Sequence, residues 1–172
     1  MSLPSEPKQW TRQIGDQSFL ISSDNSLLSI PAINAVFATD TLYWAQPFPE
    51  DILKGIISNS FCLGLYECSK IDQAEELQQI GFARLVTDQY TFAYLTDVYV
   101  IPEFQGLGLG GWILDCIDEV LKPLPYLRWL MLRTSSERSV QSYRARFGME
   151  LLDNSDVSKG VTMGRRGNGN IV

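Results

Sequence analysis

The sequence predicts one α/β domain in which a mixed, twisted central sheet of six to seven strands is flanked by about four helices. With 172 residues, 45% of them hydrophobic and 20% charged, the chain is long enough to bury a sizeable core in one domain. Apolar residues recur at helical spacing in some segments and form short aromatic and branched runs in others. These two kinds of segment alternate along the chain, which favours a sheet covered by helices.

The first third of the chain predicts a strand and two helices. Residues 18–22 form the strand, and a helix begins near Ile30. Residues 41–49 combine aromatic side chains with two prolines, which indicates a loop or broken helix. A second helix should begin near Pro49, because proline is favoured in the first turn.

The middle of the chain predicts an antiparallel meander followed by a helix. Its three strands are the runs 61–66, 80–86 and 92–101, rich in aromatic and branched residues. The third run ends at Pro102. The helix opens near Gly110 and stops at Lys122 and Pro123.

The last third predicts a central strand over residues 127–134, where the odd-numbered and the even-numbered residues, which face opposite sides of a strand, both include apolar side chains. A short helix over 139–147 ends at Gly148, and residues 149–152 and 161–163 form a final hairpin. The whole chain, 1–172, is therefore expected to be one domain, with residues 1–12 and 164–172 as mobile tails.

The composition restricts the function. A net charge of −6 argues against nucleic acid as a partner, because a phosphate backbone needs clustered Lys and Arg. The chain has no histidine, which excludes catalytic triads and metal sites that depend on imidazole, and no metal is expected.

The three cysteines indicate a cytoplasmic protein, with a nuclear location also compatible, because Cys62, Cys68 and Cys116 fit reduced thiols. No signal peptide or membrane span is predicted, and a monomer or homodimer is expected.

The most informative segment is the glycine-rich loop Gln105–Gly111, which separates a strand from a helix. Glycines at alternate positions let the backbone approach a ligand, and the helix N-terminus adds partial positive charge. Such a loop holds a phosphate or pyrophosphate; the alternative is a strand-to-helix turn without a ligand.

Two nucleotide-binding patterns fit the loop poorly. A Walker A loop needs Lys followed by Ser or Thr after its last glycine, whereas Trp112 follows Gly111. The spacing of Gly106, Gly108 and Gly111 satisfies the dinucleotide-binding fingerprint. However, four residues separate the strand from the first glycine, and too little chain follows for the further βα units of that fold.

The same segment resembles the acetyl-CoA signature of the GNAT superfamily of N-acetyltransferases, Gln/Arg-x-x-Gly-x-Gly/Ala after a strand that ends in apolar-x-Pro. The matching positions are the strand end 97–102, with Pro102, and then Gln105, Gly108 and Gly110. The similarity extends over about residues 20 to 152. It implies a GNAT fold with a V-shaped splay between the fourth and fifth main strands.

The resemblance also implies a cofactor site. Acetyl-CoA would place its pyrophosphate on the loop, and its pantetheine arm would pair with the preceding strand. The cofactor-binding residues implied are Val98, Tyr99, Val100, Gln105, Gly106, Leu107, Gly108, Leu109, Gly110 and Gly111.

Three residues are candidates for proton transfer. Asp97 and Glu103 are the candidate bases, and Glu103, in the loop after Pro102, is more typical of a solvated turn residue. Asp97 could accept the proton of the amine, or it could instead pair with Arg84 on the neighbouring strand. The family places a tyrosine four residues before a helix-terminating glycine, where it protonates the leaving thiolate. Here Tyr143 lies five residues before Gly148 and Arg144 takes the usual position. Either a helical bulge restores Tyr143, or this acid role is empty.

The acceptor is expected to be a primary amine of a small molecule or a peptide. Aromatic residues concentrate before the glycine loop and could line a substrate pocket, since an aromatic face holds apolar amines or cations. These candidates are Tyr43, Trp44, Tyr90, Phe92 and Tyr94. An alternative function is a non-catalytic module that binds or senses acyl-CoA, which the missing histidine and the shifted Tyr143 would fit.

Overall fold

The computed structural model describes residues 2–42, 44–71, 74–152 and 156–169. They form one mixed sheet with the strand order β1-β2-β3-β4-β5-β6-β8-β7 and four α-helices, which confirms the predicted fold class. The described sheet has eight strands instead of six to seven. The strands are β1 (Gln9–Ile14), β2 (Gln17–Ser22), β3 (Phe61–Ile71), β4 (Ala74–Thr87), β5 (Phe92–Val100), β6 (Trp129–Thr134), β7 (Glu150–Leu151) and β8 (Val161–Arg166); the helices are α1 (Ile30–Phe37), α2 (Glu50–Ser58), α3 (Leu109–Leu121) and α4 (Glu137–Phe147).

The additional strand lies in a segment that was expected to be a mobile tail. β1 pairs with β2 in an antiparallel hairpin, with Trp10 opposite Ile21 and Ile14 opposite Gln17. The prediction for residues 1–12 was therefore wrong from Gln9 onward. A polar edge strand carries almost no hydrophobic signal, because its stability comes from the backbone ladder and one neighbouring strand.

The prediction of a mobile C-terminal tail was also wrong for most of its length. β8 continues to Arg166 and pairs with β6, where Arg166 lies opposite Trp129. Beyond the strand, Gly167 N–H donates to the carbonyl of Arg128 at 2.8 Å. The Gly, Asn and Arg content of this segment indicates mobility, but its backbone pairs with β6 within the sheet.

The chain forms two compact units, each built from separate segments. One consists of the described residues of Met1–Ser5, Leu85–Thr96 and Leu114–Val172, and the other of Glu6–Arg84 and Asp97–Ile113. We call these the β6 unit and the loop unit. The prediction of a single domain stays a prediction.

In the β6 unit, the parallel pairing of β5 with β6 joins Phe92–Tyr94 to Trp129–Met131. β6 continues into antiparallel pairing with β8. α4 begins at Ser136, whose side chain accepts the Ser139 amide, and ends at Gly148 in a left-handed conformation. The predicted splay between the fourth and fifth main strands is not tested by this pairing and stays a prediction.

In the loop unit, β1, β2 and β3 form an antiparallel ladder. α1 starts at the N-cap Ser29 with a proline in its first turn, and α2 follows Pro49 as predicted. The two helices bury their apolar faces in one cluster with residues of β3, β4 and β5. Its buried members are Ile33, Phe37, Leu42, Leu53, Ile57, Cys62, Phe82 and Tyr99. Within the described residues, every helix is too short or too polar to cross a membrane.

Candidate functional site

The glycine loop adopts backbone conformations that favour glycine. Gly106 has a φ of 84° and Gly108 a φ of 75°, in the left-handed region that other residues rarely occupy. A Cβ atom built on either glycine would meet no heavy atom within 4 Å. The loop therefore combines a fixed backbone path with open space beside it, as a backbone cradle for a ligand requires.

The loop leads directly into the N-terminus of α3. The Trp112 amide donates to the carbonyl of Gly108 at 3.1 Å, so the amides of Leu109, Gly110 and Gly111 precede the helical ladder. No acidic residue lies in the first turn of α3. Amide donors and the positive end of the helix dipole thus favour an anion here.

Gln105 attaches the loop to the end of β5. Its side-chain Nε2 donates to the backbone carbonyl of Val100 at 2.9 Å, and its own amide donates to the carbonyl of Pro102. The glutamine of the sequence motif therefore acts on the protein backbone in this structure. It closes the turn between the strand and the loop.

The β1–β2 hairpin supports the loop from the side. Phe19 and Phe104 make an edge-to-face ring contact with centroids 6.3 Å apart. The Arg12 guanidinium lies 4.6 Å from the ring centroid of Trp112, a cation–π distance. Sequence reasoning missed this support, because β1 itself was missed.

Residues Val98–Val100 form the end of β5 that leads to the loop. Tyr99 and Val100 are buried and Val98 is half-buried. The centroid of the Tyr99 ring lies 6.1 Å from that of Phe82, and burial raises the pKa of the Tyr99 phenol, an effect that the neighbouring Gln79 partly offsets. Tyr99 is therefore a neutral core residue, and the contribution of this segment to a ligand comes from its backbone.

Asp97 is buried, with 7% of its surface exposed, and its Oδ2 lies 2.7 Å from Nε of Arg84. Arg84 also donates from Nη1 to Oγ of Ser60 at 3.3 Å. The non-catalytic alternative considered for Asp97 is thus present in the structure. Asp97 also has a φ of 55°, an unusual backbone conformation for a residue inside a strand.

Tyr143 lies in the β6 unit, on α4. Its ring stacks on Phe147 with centroids 6.2 Å apart, and burial raises the pKa of its hydroxyl. The Gly148 amide donates to the carbonyl of Arg144 at 3.0 Å, which is the regular α-helical spacing. The helix end therefore has no bulge that would restore Tyr143 to the family position, and its role as an acid stays a prediction.

The aromatic candidates for a substrate pocket fall in different parts of the chain. Trp44 belongs to the loop unit and is 54% exposed. Tyr90, Phe92 and Tyr94 belong to the β6 unit, where Tyr90 and Phe92 are exposed and Tyr94 is half-buried. Tyr43 lies outside the described residues. A shared pocket for these side chains stays a prediction.

The fold and the loop define an α/β protein with a glycine-rich turn between β5 and α3, and comparison with known proteins extends this result. The family model described as "Acetyltransferase (GNAT) family" matches residues 39–149. A curated protein of Gibberella zeae, whose name assigns it as an acetyltransferase, is 37% identical over 169 residues, or 92% of each chain.

Solved structures show the same relationship. A protein of Xanthomonas campestris pv. campestris assigned to the GNAT family is 31% identical, with a TM-score of 0.61 over 81% of this chain and 94% of that one. A GNAT acetyltransferase of Elizabethkingia anophelis, solved with acetyl-CoA bound, shares the fold at 15% identity and a TM-score of 0.53 over 95% of this chain and 99% of that one.

The chain therefore belongs to the GNAT family of acetyltransferases. It is accordingly an acyltransferase, and acetyl transfer is its general reaction. The family match covers α2, the β3–β5 meander, the glycine loop, α3, β6 and α4.

Proposed function

We propose that this protein is an acetyl-CoA-dependent N-acetyltransferase that transfers the acetyl group to a primary amine of a small molecule or a peptide. The amine attacks directly while both substrates are bound. The observation that carries the proposal is the loop Gln105–Gly111, which presents backbone amides at the start of α3 beside the end of β5.

The loop fits a pyrophosphate group. The left-handed conformations of Gly106 and Gly108 leave open space where side chains would otherwise project. The amides at the α3 N-terminus supply donors, and the absence of an acid in that turn leaves the helix dipole uncompensated. Acetyl-CoA would supply an activated acetyl thioester, and the protein would hold and orient it.

Direct attack agrees with the absence of histidine and with the burial of two of the three cysteines. The sequence has no histidine that could activate a serine or cysteine. Cys62 and Cys116 are buried, and burial raises the pKa of the Cys62 thiol to about 12. A neutral, inaccessible thiol is a poor acceptor for an acyl group. A ternary complex needs no covalent acyl-enzyme.

Two features support an amine as the acceptor. The acidic chain favours a cationic partner through long-range attraction. Trp44 and Phe48, in the segment between α1 and α2, expose 54% and 38% of their surfaces, and an aromatic face binds ammonium groups well. An Arabidopsis protein of the same fold, NAA60, was solved in complex with a bisubstrate analogue, which is compatible with simultaneous binding.

The proposal is tested by incubating the protein with acetyl-CoA and a panel of amines that includes polyamines, amino acids and peptides with free N-termini or lysines. Released CoA thiol and the mass of the acetylated product are measured. We expect turnover with at least one amine and intersecting initial-velocity lines, as a ternary complex requires. Tight acetyl-CoA binding without turnover on any amine would instead favour the non-catalytic acyl-CoA-binding module.

A further inference from the structure

The strand that leads to the glycine loop is kinked at one residue. Asp97 has a φ of 55° within β5, whereas ordinary strand residues have strongly negative φ values. Among residues other than glycine, Asp and Asn occupy this left-handed region most readily. A local change of this kind re-aims the following residues, as β-bulges do next to active sites.

The kink is held by side chains from two neighbouring segments. The Asp97 carboxylate accepts Nε–H of Arg84 at 2.7 Å. Both groups are largely buried, since 18% of the surface of the Arg84 side chain and 9% of that of the Asp97 side chain are exposed. Arg84 is itself fixed by its hydrogen bond to Ser60, in the turn between α2 and β3. An unfavourable backbone conformation persists only where its surroundings determine it this strongly.

The surroundings of Asp97 fit a structural role for its charge. Its carboxylate lies close enough to raise the pKa of Cys62 and of Tyr99, in both cases after the larger effect of burial. Both neighbours are neutral core groups, and Arg84 is the cation that faces Asp97 across the strand pair. The carboxylate is therefore engaged in a buried ion pair with Arg84.

We infer that Asp97 is a positioning residue: the Arg84–Asp97 pair maintains the kink in β5 that aims the backbone of Val98–Val100 at acetyl-CoA. This inference rests on the proposed function, since it assigns acetyl-CoA to that backbone. It replaces the general-base role considered for Asp97 with a role carried by its φ angle and its ion pair.

Three substitutions separate the two roles. Asp97→Asn and Asp97→Gly both remove the carboxylate yet tolerate positive φ, whereas Asp97→Ala removes the carboxylate and disfavours positive φ. A general base would be lost equally in all three. A positioning residue would be replaced best by Asn, whose side-chain oxygen can still accept Nε–H of Arg84. Gly tolerates positive φ but loses the contact with Arg84, so it should replace Asp97 less well, and Ala, which loses both, should replace it worst.

We expect Asn to keep kcat and the KM for acetyl-CoA within about threefold of the wild type with an unchanged pH profile, Gly to raise that KM by less than Ala, and Ala to raise it about tenfold. A fall of about 100-fold or more in kcat for Asn, with loss of the basic group from the pH profile, would overturn the inference in favour of a base. Equal KM values in Asn, Gly and Ala would overturn it as well.

Calorimetric binding of acetyl-CoA gives a second measurement that does not depend on knowing the amine. The same order is expected in the dissociation constants, with Asn close to the wild type, Gly weaker and Ala weakest. Arg84→Met should weaken binding and Arg84→Lys should restore part of it, because lysine keeps the charge but not the guanidinium geometry. If the wild type binds acetyl-CoA but acetylates no amine, the proposed reaction fails while this comparison still decides the role of Asp97.

Discussion

The side-chain amide of Gln105 donates to the backbone carbonyl of Val100 at 2.9 Å, and this bond joins the end of β5 to the glycine loop. It connects two parts of the proposed acetyl-CoA site, the strand end and the phosphate cradle. Because Gln105 is largely exposed, the bond contributes more to the shape of the loop than to the stability of the fold.

Replacing Gln105 should therefore affect cofactor affinity. Gln105→Ala removes one hydrogen bond of about 0.5–1.5 kcal/mol, so we expect the KM for acetyl-CoA to rise by about two- to tenfold with little change in kcat. Steady-state kinetics at a saturating amine concentration measure both. Gln141→Ala, at an exposed position on α4, is the matched control; a drop in kcat without a change in KM would contradict this role.

The turn before β5 depends on the Asp88 carboxylate. It accepts the amides of Tyr90, Thr91 and Phe92 and the hydroxyl of Thr91. Slight burial raises the pKa of Asp88, but these hydrogen bonds outweigh it and hold the pKa well below its usual range. A carboxyl whose pKa is lowered by folding stabilises the protein above its unfolded pKa, and the effect is lost as the pH falls through the folded value.

Asp88→Ala should therefore lower the free energy of unfolding by about 1–2 kcal/mol near neutral pH, a figure that already allows for screening at this exposed site. The difference from the wild type should shrink as the pH falls below about 4, the unfolded pKa of Asp. Urea unfolding at a series of pH values measures it. Glu76→Gln is the control, because it also removes one negative charge at an exposed position, and its effect on the free energy of unfolding should show no such trend. A difference between Asp88→Ala and the wild type that grows toward acid pH would refute the interpretation.

The three cysteines should differ in reactivity. Cys68 is half-buried, whereas Cys62 and Cys116 are buried, and burial raises the pKa of Cys62 to about 12. Since the thiolate is the reactive form, iodoacetamide should label Cys68 first in the native protein and reach Cys62 only after unfolding. Peptide mass spectrometry identifies the sites. An acetylated Cys62 found after incubation with acetyl-CoA would contradict direct attack by the amine.

The sequence predicted the elements around the site better than their edges. The start of α2, the meander and the β5–loop–α3 connection follow from apolar periodicity and from Pro and Gly positions, which are local signals. β1 and the end of β8 were missed, because their stability comes from backbone pairing, of β1 with the adjacent β2 and of β8 with the distant β6, and not from apolar side chains. The kink at Asp97 gives only one hint in the sequence, an acidic residue amid a strand of aromatic and branched side chains.

The central claim is that the glycine loop binds acetyl-CoA, and thermal unfolding of three proteins with and without the ligand tests it most directly. Gly108→Val introduces a branched side chain into the open space beside the loop, while Gly15→Val places one at another glycine with positive φ and open surroundings, in the β1–β2 turn. Both carry similar backbone strain, so the unliganded midpoints serve as the control.

Acetyl-CoA at 100 times its dissociation constant adds about 2.7 kcal/mol, which should raise the midpoint of the wild type and of Gly15→Val by roughly 5–10 °C. Gly108→Val should show almost no shift; an equal shift in all three proteins, or none in the wild type, would contradict the assignment of the loop.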